Sequence, residues 1–170
     1  GLVTRGPMQS GDNVLVQGTR GVSVFGLLLA IAAGARAFIT SSSGEKLERA
    51  RKLGASGTVN YKDTPEWAKA IRELTGGTGV HQIVEVGGAG TLPQSLAALA
   101  GGGHIALIGG LGGFGGDIPA IALIGRNASA TGITVGSRAD FEALNAFMSQ
   151  HRIKPVIDRS YPLDQIVEAY

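Results

Sequence analysis

Apolar positions along the chain fall into two alternating kinds of segment. Short β-branched or aliphatic runs recur at "NVLVQ" (13–17), "RAFIT" (36–40), "GTVNY" (57–61), "HQIVEV" (81–86), "HIALIG" (104–109) and "SATGITV" (129–135). Between them lie stretches with the 3.6-residue period of a helix. Residues 21–33 are apolar nearly all round, which predicts a helix buried beside a sheet. In "GEKLERARKL" (44–53), Leu47, Ala50 and Leu53 share one face, charges occupy the other, and Gly54 supplies a left-handed stop. Residues 65–75 carry Pro65 in the first turn and align Trp67, Ala70, Ile71 and Leu74. Helices are also predicted at 91–100 and at 137–150, the second with Phe141, Leu144, Phe147 and Met148 as its inward stripe. Strands alternating with helices of about a dozen residues imply βαβ units and a parallel sheet. The expected class is α/β: a doubly wound, six-stranded parallel sheet of the Rossmann type, order 3-2-1-4-5-6, with helices on both faces.

Composition narrows the picture. The 170 residues, 44% of them apolar, suffice for one domain with a core and are short for two, so 1–170 is expected to be a single domain. The 28 glycines fall at junctions between apolar segments and describe many tight turns. Without cysteine there is neither a disulfide framework nor a thiolate zinc site in this chain, and a reducing, cytoplasmic setting is expected. Fifteen basic against thirteen acidic residues are scattered along the chain, so no nucleic-acid partner is expected. The longest apolar stretch, Val22 to Ala35, falls short of the roughly 20 residues that cross a bilayer. It is internal and lacks the flanks of a secretory signal, so no membrane association is expected.

Candidate chemistry begins where the first strand ends. "VLVQGTRGVS" (14–23) is a strand, a glycine turn and a helix start, an arrangement that offers free backbone N–H groups and a positive dipole end to an anion. Dinucleotide sites place glycine at the first and third positions of this turn and glycine or alanine at the sixth. Here those places hold Gly18, Arg20 and Ser23, with an additional Gly21. The Arg20 guanidinium either swings outward to pair with a phosphate or points into solvent and obstructs the turn. The end of the second strand bears on which nucleotide would bind. NAD sites place an acidic residue there, about 20 residues beyond the glycines, to bind the ribose 2′-hydroxyl. This chain reads "ITSSSGEK", with Ser41, Ser42, Ser43 and then Lys46, which suits a 2′-phosphate and favours NADP(H) over NAD(H). The same serines are also suited to capping the helix at 44–53.

With "GTRGVS", "TSSSGEKLERARKLGA", "IVEVGGAGTLPQSLAALAGGGHIALIG" and "GITVGSRADFEALN" taken together, the chain resembles the medium-chain dehydrogenase/reductase superfamily, in its zinc-type alcohol dehydrogenase and quinone reductase branch. Arg20 departs from the glycine usual in that family's loop. The resemblance implies an oxidoreductase that transfers hydride between a nicotinamide cofactor and an alcohol, carbonyl or quinone. It implies pyrophosphate contacts from Gly18, Thr19, Arg20, Gly21 and Val22, a 2′-phosphate pocket at Ser41, Ser42, Ser43 and Lys46, and adenosine packing by Tyr61. Val86, Gly87 and Gly88 with Ile108, Gly109 and Gly110 would lie beside the nicotinamide ribose. A homodimer through the last strand, Ser129 to Val135, is implied as well. Family members are roughly twice as long, so the resemblance implies an excised or separately expressed cofactor domain. Segments 1–12 and 158–170 would border the missing substrate domain, which would carry any zinc and the substrate-binding groups. No catalytic or metal-ligating residue is assigned within these 170 residues, and the domain alone is expected not to turn over.

Other readings are weaker. His81, His104 and His151 have no partner at ligand spacing, and Glu85, inside an apolar strand, is expected to be either hydrogen-bonded or exposed at a sheet edge, in a structural and not a catalytic role. A short-chain dehydrogenase needs Tyr with Lys four residues on, whereas Tyr61 and Tyr161 are followed there by Pro65 and Gln165. A methyltransferase usually wants an acidic residue after the second strand, where serines stand. The alternative kept beside the dehydrogenase is a cofactor-free scaffold or dimerisation module whose phosphate loop is blocked by Arg20.

Overall fold

The computed structural model describes residues 8–113, 115 and 117–169. Six strands, β1 (Asn13–Gln17), β2 (Arg36–Ser41), β3 (Gly57–Asn60), β4 (Val80–Glu85), β5 (Leu99–Leu107) and β6 (Ser129–Gly132), form one sheet in the order β3-β2-β1-β4-β5-β6. All five strand pairings are parallel. The expected doubly wound topology is therefore the observed one, and the order reverses between β1 and β4, where such sheets open a crevice at their carboxyl ends.

Each central strand is buried on both faces, so its side chains divide between two cores. Leu15, Phe38 and Ile83 point to one face, where Trp67, Ala68 and Ile71 of α3 (Trp67–Leu74) and Leu92 and Leu96 of α4 (Leu92–Ala98) cover them. Their neighbours Val14, Val16, Ala37, Ile39 and Val84 point to the other, beneath Leu27 and Ala30 of α1 (Gly21–Ala32) and Leu47 and Ala50 of α2 (Gly44–Lys52). Gly54 has φ +103 and ends α2 as its sequence requires.

Several local expectations are corrected. Helix α1 buries one stripe, Ser23, Gly26, Leu27 and Ala30, and leaves Val22 exposed, because a helix lying on a sheet covers it with one face only. Pro65 precedes α3, whose N-cap is Glu66, and Leu74 lies half open on its outer side. The helix expected at 91–100 ends at Ala98, and β5 begins at Leu99. A short helix, α5 (Ala120–Ile124), follows Pro119 in a stretch where the pattern placed no helix; five residues are too few to show a period. Helix α6 (Arg138–Gln150) forms with a Ser137–Asp140 capping box, but the stripe expected to face inward is not buried: Phe141 is exposed and Leu144, Phe147 and Met148 are half-buried. It lies beyond the last strand, where the sheet no longer runs beneath it. A helical turn at Leu163–Gln165 and α7 (Ile166–Ala169) complete the chain. Of the segments expected to border a substrate domain, residues 1–7 and 170 lie outside the described residues.

Candidate functional site

The crevice at the carboxyl ends of β1 and β4 encloses about 450 Å³, between Gln17, Gly18 and Thr40 on one side and Gly87, Thr91 and Leu111 on the other. Tyr61 and Trp67 also line it.

On the β1 side the chain leaves the strand through Gly18 at φ +75, a conformation that favours glycine. Arg20 is the N-cap of α1 with φ −95 and ψ −179, extended backbone that any residue adopts. The arginine in the place of the usual glycine therefore brings no backbone strain, and its side chain is exposed. The first bond of the helix joins the Val24 N–H to the Arg20 carbonyl at 2.9 Å. The amides of Gly21, Val22 and Ser23 thus have no helical acceptor. Among the described residues no side chain caps this end, and the first turn holds no acidic residue, so its positive dipole end is open, an arrangement suited to an anion. Ser23, in the position usually glycine or alanine, is buried and its Oγ donates to the Gln17 carbonyl, fastening helix to strand.

The end of β2 lies against this loop. Thr19 Oγ1 and Ser41 Oγ are 3.0 Å apart in a hydrogen bond, and the Ser43 N–H donates to Ser41 Oγ at 3.4 Å. Ser43 is the N-cap of α2, its Oγ accepting from the Lys46 N–H at 3.3 Å, so the capping role is real for that serine. Ser42 and the Lys46 side chain are exposed. Glu45 is turned along the helix to Arg49 at 2.8 Å. Tyr61 stands beside this edge, its N–H donating to the Ser41 carbonyl at 3.1 Å.

Across the crevice, the segments after β4 and β5 lie backbone against backbone. Leu111 N–H donates to the Val86 carbonyl (3.1 Å), Gly112 N–H to that of Gly87 (2.7 Å), and Ala89 N–H to that of Gly113 (3.0 Å). A Cβ on Gly88, which has φ +71, would come within 2.4 Å of the Gly113 carbonyl oxygen. Val86, Gly87, Gly88, Ile108, Gly109 and Gly110 are thus gathered at the carboxyl ends of neighbouring strands, half-buried, and Gly88 is required for the close approach of the loops.

Beneath them lies a polar cluster that inspection of single motifs overlooked. Glu85 is fully buried, and no Lys or Arg pairs with it among the described residues. Its Oε1 accepts from Gly87 N–H (2.8 Å), Gly88 N–H (3.1 Å) and Thr91 Oγ1. Its Oε2 accepts from Gln17 Nε2 (2.8 Å) and Ser95 Oγ. Burying an unpaired carboxylate costs several kcal/mol, and these five donors are what offset it. Gln17 also donates to Ser95 Oγ at 2.6 Å and accepts from Val86 N–H at 3.3 Å. The signal in the sequence was a polar residue directly after an apolar run in each of two strands, Gln17 after Val14–Val16 and Glu85 after Ile83–Val84.

Against this geometry the comparisons are specific. A family model described as "Zinc-binding dehydrogenase" matches residues 21–150. The chain belongs to that family. It is thereby a member of the medium-chain dehydrogenase/reductase superfamily, and corresponds to the cofactor-binding half. A zinc-type alcohol dehydrogenase-like protein of Schizosaccharomyces pombe is 48% identical over 96% of this chain and 48% of its own length. An NAD-dependent alcohol dehydrogenase superposes on 91% of this chain with a TM-score of 0.82, at 37% identity and over 45% of its own length. A mycobacterial quinone oxidoreductase superposes on 98% with a TM-score of 0.84, at 29% identity and over 54% of its length. The dehydrogenase-family chain described here spans about half the length of the curated relatives it matches. Zinc does not fit its described residues: no three His, Asp or Glu side chains converge among them, and cysteine is lacking. No helix among the described residues is long and apolar enough to cross a membrane.

Proposed function

We propose that this domain binds a nicotinamide dinucleotide, NADP(H) in preference to NAD(H). It would serve an oxidoreductase that moves hydride between that cofactor and an alcohol, carbonyl or quinone. The observation that carries the reading is the Thr19–Ser41 hydrogen bond, 3.0 Å, which sets a carboxylate-free serine edge beside the open N-terminus of α1. One anion-binding end and one set of hydroxyls with an ammonium nearby suit a ligand carrying phosphate at both places.

In this reading the amides of Gly21, Val22 and Ser23 hold the pyrophosphate, with Gly18 and Thr19 shaping the turn. Ser41, Ser42, Ser43 and Lys46 receive the 2′-phosphate, and Tyr61 packs at the adenosine end. Val86 to Gly88 and Ile108 to Gly110 flank the nicotinamide ribose. The cofactor, when bound, supplies the hydride chemistry; the protein supplies position and electrostatics. Arg20, unstrained and exposed, is suited to pair with a phosphate rather than to close the site. Substrate groups and any zinc belong to the remainder of a full-length enzyme, so the chain alone has no turnover. We place the homodimer contact at the outer edge of β6, which has no neighbour in the sheet; the strand covers Ser129–Gly132 of the expected Ser129 to Val135. The absence of cysteine supports a cytoplasmic setting.

Calorimetric titration with NADPH and NADH tests this, with Trp67 at the crevice as a fluorescent reporter. NADPH should bind at least tenfold more tightly than NADH, and Lys46→Ala should narrow the gap. Equal or tighter NADH binding, as the NAD-dependent relative would lead one to look for, overturns the preference. Binding that appears only in Arg20→Gly supports the blocked scaffold instead.

A further inference from the structure

Glu85 is a buried ionisable group with no place in the proposed contacts, yet it accepts hydrogen bonds from five donors. Its partners are not scattered. Gly87 and Gly88 begin the loop after β4, Thr91 and Ser95 belong to the start of α4, and Gln17 is the last residue of β1, directly before the phosphate turn. Through its backbone carbonyl the same residue accepts from Ile108 N–H at 2.9 Å and Gly109 N–H at 3.3 Å, the start of the loop after β5. Gln17 in turn accepts Ser23 Oγ on its carbonyl and Val86 N–H on its side chain. The start of α1, the loops after β4 and β5 and the first turns of α4 are therefore tied to one pair of residues.

We propose that Gln17 and Glu85 are positioning residues for the dinucleotide: together they set the span between the phosphate turn and the two glycine loops that flank the nicotinamide end. The inference rests on the cofactor reading above. Its physical content is that a carboxylate has about four lone-pair sites and no proton to give, so it can gather donors from several elements at once. Glutamine at position 85 would keep the size, but its NH₂ would meet either the Gly87 and Gly88 amides or the Gln17 amide and Ser95. One side of the gathering is then lost. The glycine loops are bonded to each other through backbone groups, and the Gln17–Glu85 bond is the side-chain link between them and the end of β1 that leads into Gly18. Ligand affinity is sensitive to such preorganisation, because a loop that is ordered only on binding subtracts its ordering cost from the contacts it makes.

The test uses this chain with Glu85→Gln and, as a milder change that keeps the side-chain shape, Thr91→Val. Three readouts are taken: NADPH affinity by calorimetry, the response of the Gly21–Ser23 amides to inorganic pyrophosphate by NMR, and amide hydrogen exchange. Glu85→Gln should weaken NADPH binding about tenfold or more and speed exchange at Gly87, Gly88 and Gly112. Pyrophosphate binding at the α1 end should stay within about twofold of wild type, and exchange in β1 and β2 should be unchanged. Thr91→Val should show the same pattern in smaller degree, and it decides the matter should Glu85→Gln fail to fold. Pyrophosphate affinity falling together with NADPH affinity, exchange rising through the whole sheet in both variants, or NADPH binding unchanged each overturns the positioning role. Wild-type protein that binds neither NADPH nor pyrophosphate overturns the cofactor reading, and this inference with it.

Discussion

The first four strands and the segment beyond β6 are built from similar amounts of apolar sequence and meet different fates. In β1 every residue is buried, and Phe38, Ile39 and Ile83 have no exposed surface. Past Gly132 no described residue is buried: Val135 is 90% exposed, Val167 86% and Leu163 84%. The difference lies in topology, since a strand inside a doubly wound sheet finds a helix on either side, whereas α6 and α7 follow the last strand and find no layer to close on. An apolar stripe at helical spacing thus reports that a face can be buried, and the fold decides whether it is. Seven of the exposed large apolar side chains among the described residues lie in this segment: Val135, Phe141, Val156, Ile157, Leu163, Ile166 and Val167.

The sharpest test of the comparison is a matched pair of deletions. Phe38→Ala should lower unfolding free energy by about 3–5 kcal/mol, as for other fully buried phenylalanines. Phe141→Ala should stay within about 0.5 kcal/mol of wild type, because 62% of that side chain is already in water. Urea denaturation of both variants measures this, and a cost above about 2 kcal/mol at Phe141 would show that α6 is packed after all.

Helix caps give a smaller contrast. Ser43 caps α2, whose Leu47 and Ala50 are buried in the core, so Ser43→Ala should cost about 1 kcal/mol of global stability. Ser137 makes a fuller capping box with Asp140, yet no residue of α6 is fully buried. Ser137→Ala should fray that helix, seen as faster amide exchange at its first turn, and leave the denaturation midpoint where it was.

The smallest effect lies at the border between the two regions. His104 of β5 holds Ser129 of β6 through Nδ1 at 2.9 Å, while its buried Nε2 has no hydrogen-bond partner among the described residues. Burial pushes its pKa below the usual 6.5. The unfolded chain takes up a proton near 6.5 and the folded chain only at lower pH, so this group's contribution is complete above 6.5 and is lost as the pH falls through the lower folded value. Stability should drop between pH 7.5 and pH 5.5, and His104→Asn should drop less over the same interval. An equal or greater pH dependence in the variant would show that His104 does not set it.

Much of the fold was legible because its signals are local. The turn at Gly18, the stop at Gly54 and the serines after β2 each act within a few residues, so sequence alone located the glycine turn after β1, the end of α2 and the serine edge. Helix α5 was missed because Ala120–Ile124 is too short to repeat a pattern. The polar cluster was only half visible. Glu85 stood out as a carboxylate in an apolar strand, but its Gln17 partner is 68 residues away and the link exists only once β1 and β4 are adjacent.

The order of elements, the parallel sheet and the position of the glycine turn after β1 were therefore determined by the sequence itself, through side-chain periodicity and the conformations that glycine and serine favour nearby. Tertiary structure alone decided that two glycine loops lie against each other, that Glu85 gathers donors from both sides of the crevice, and that the stripe of α6 stays open. Those outcomes depend on which surfaces meet across long stretches of chain, and short-range pattern carries no record of such meetings.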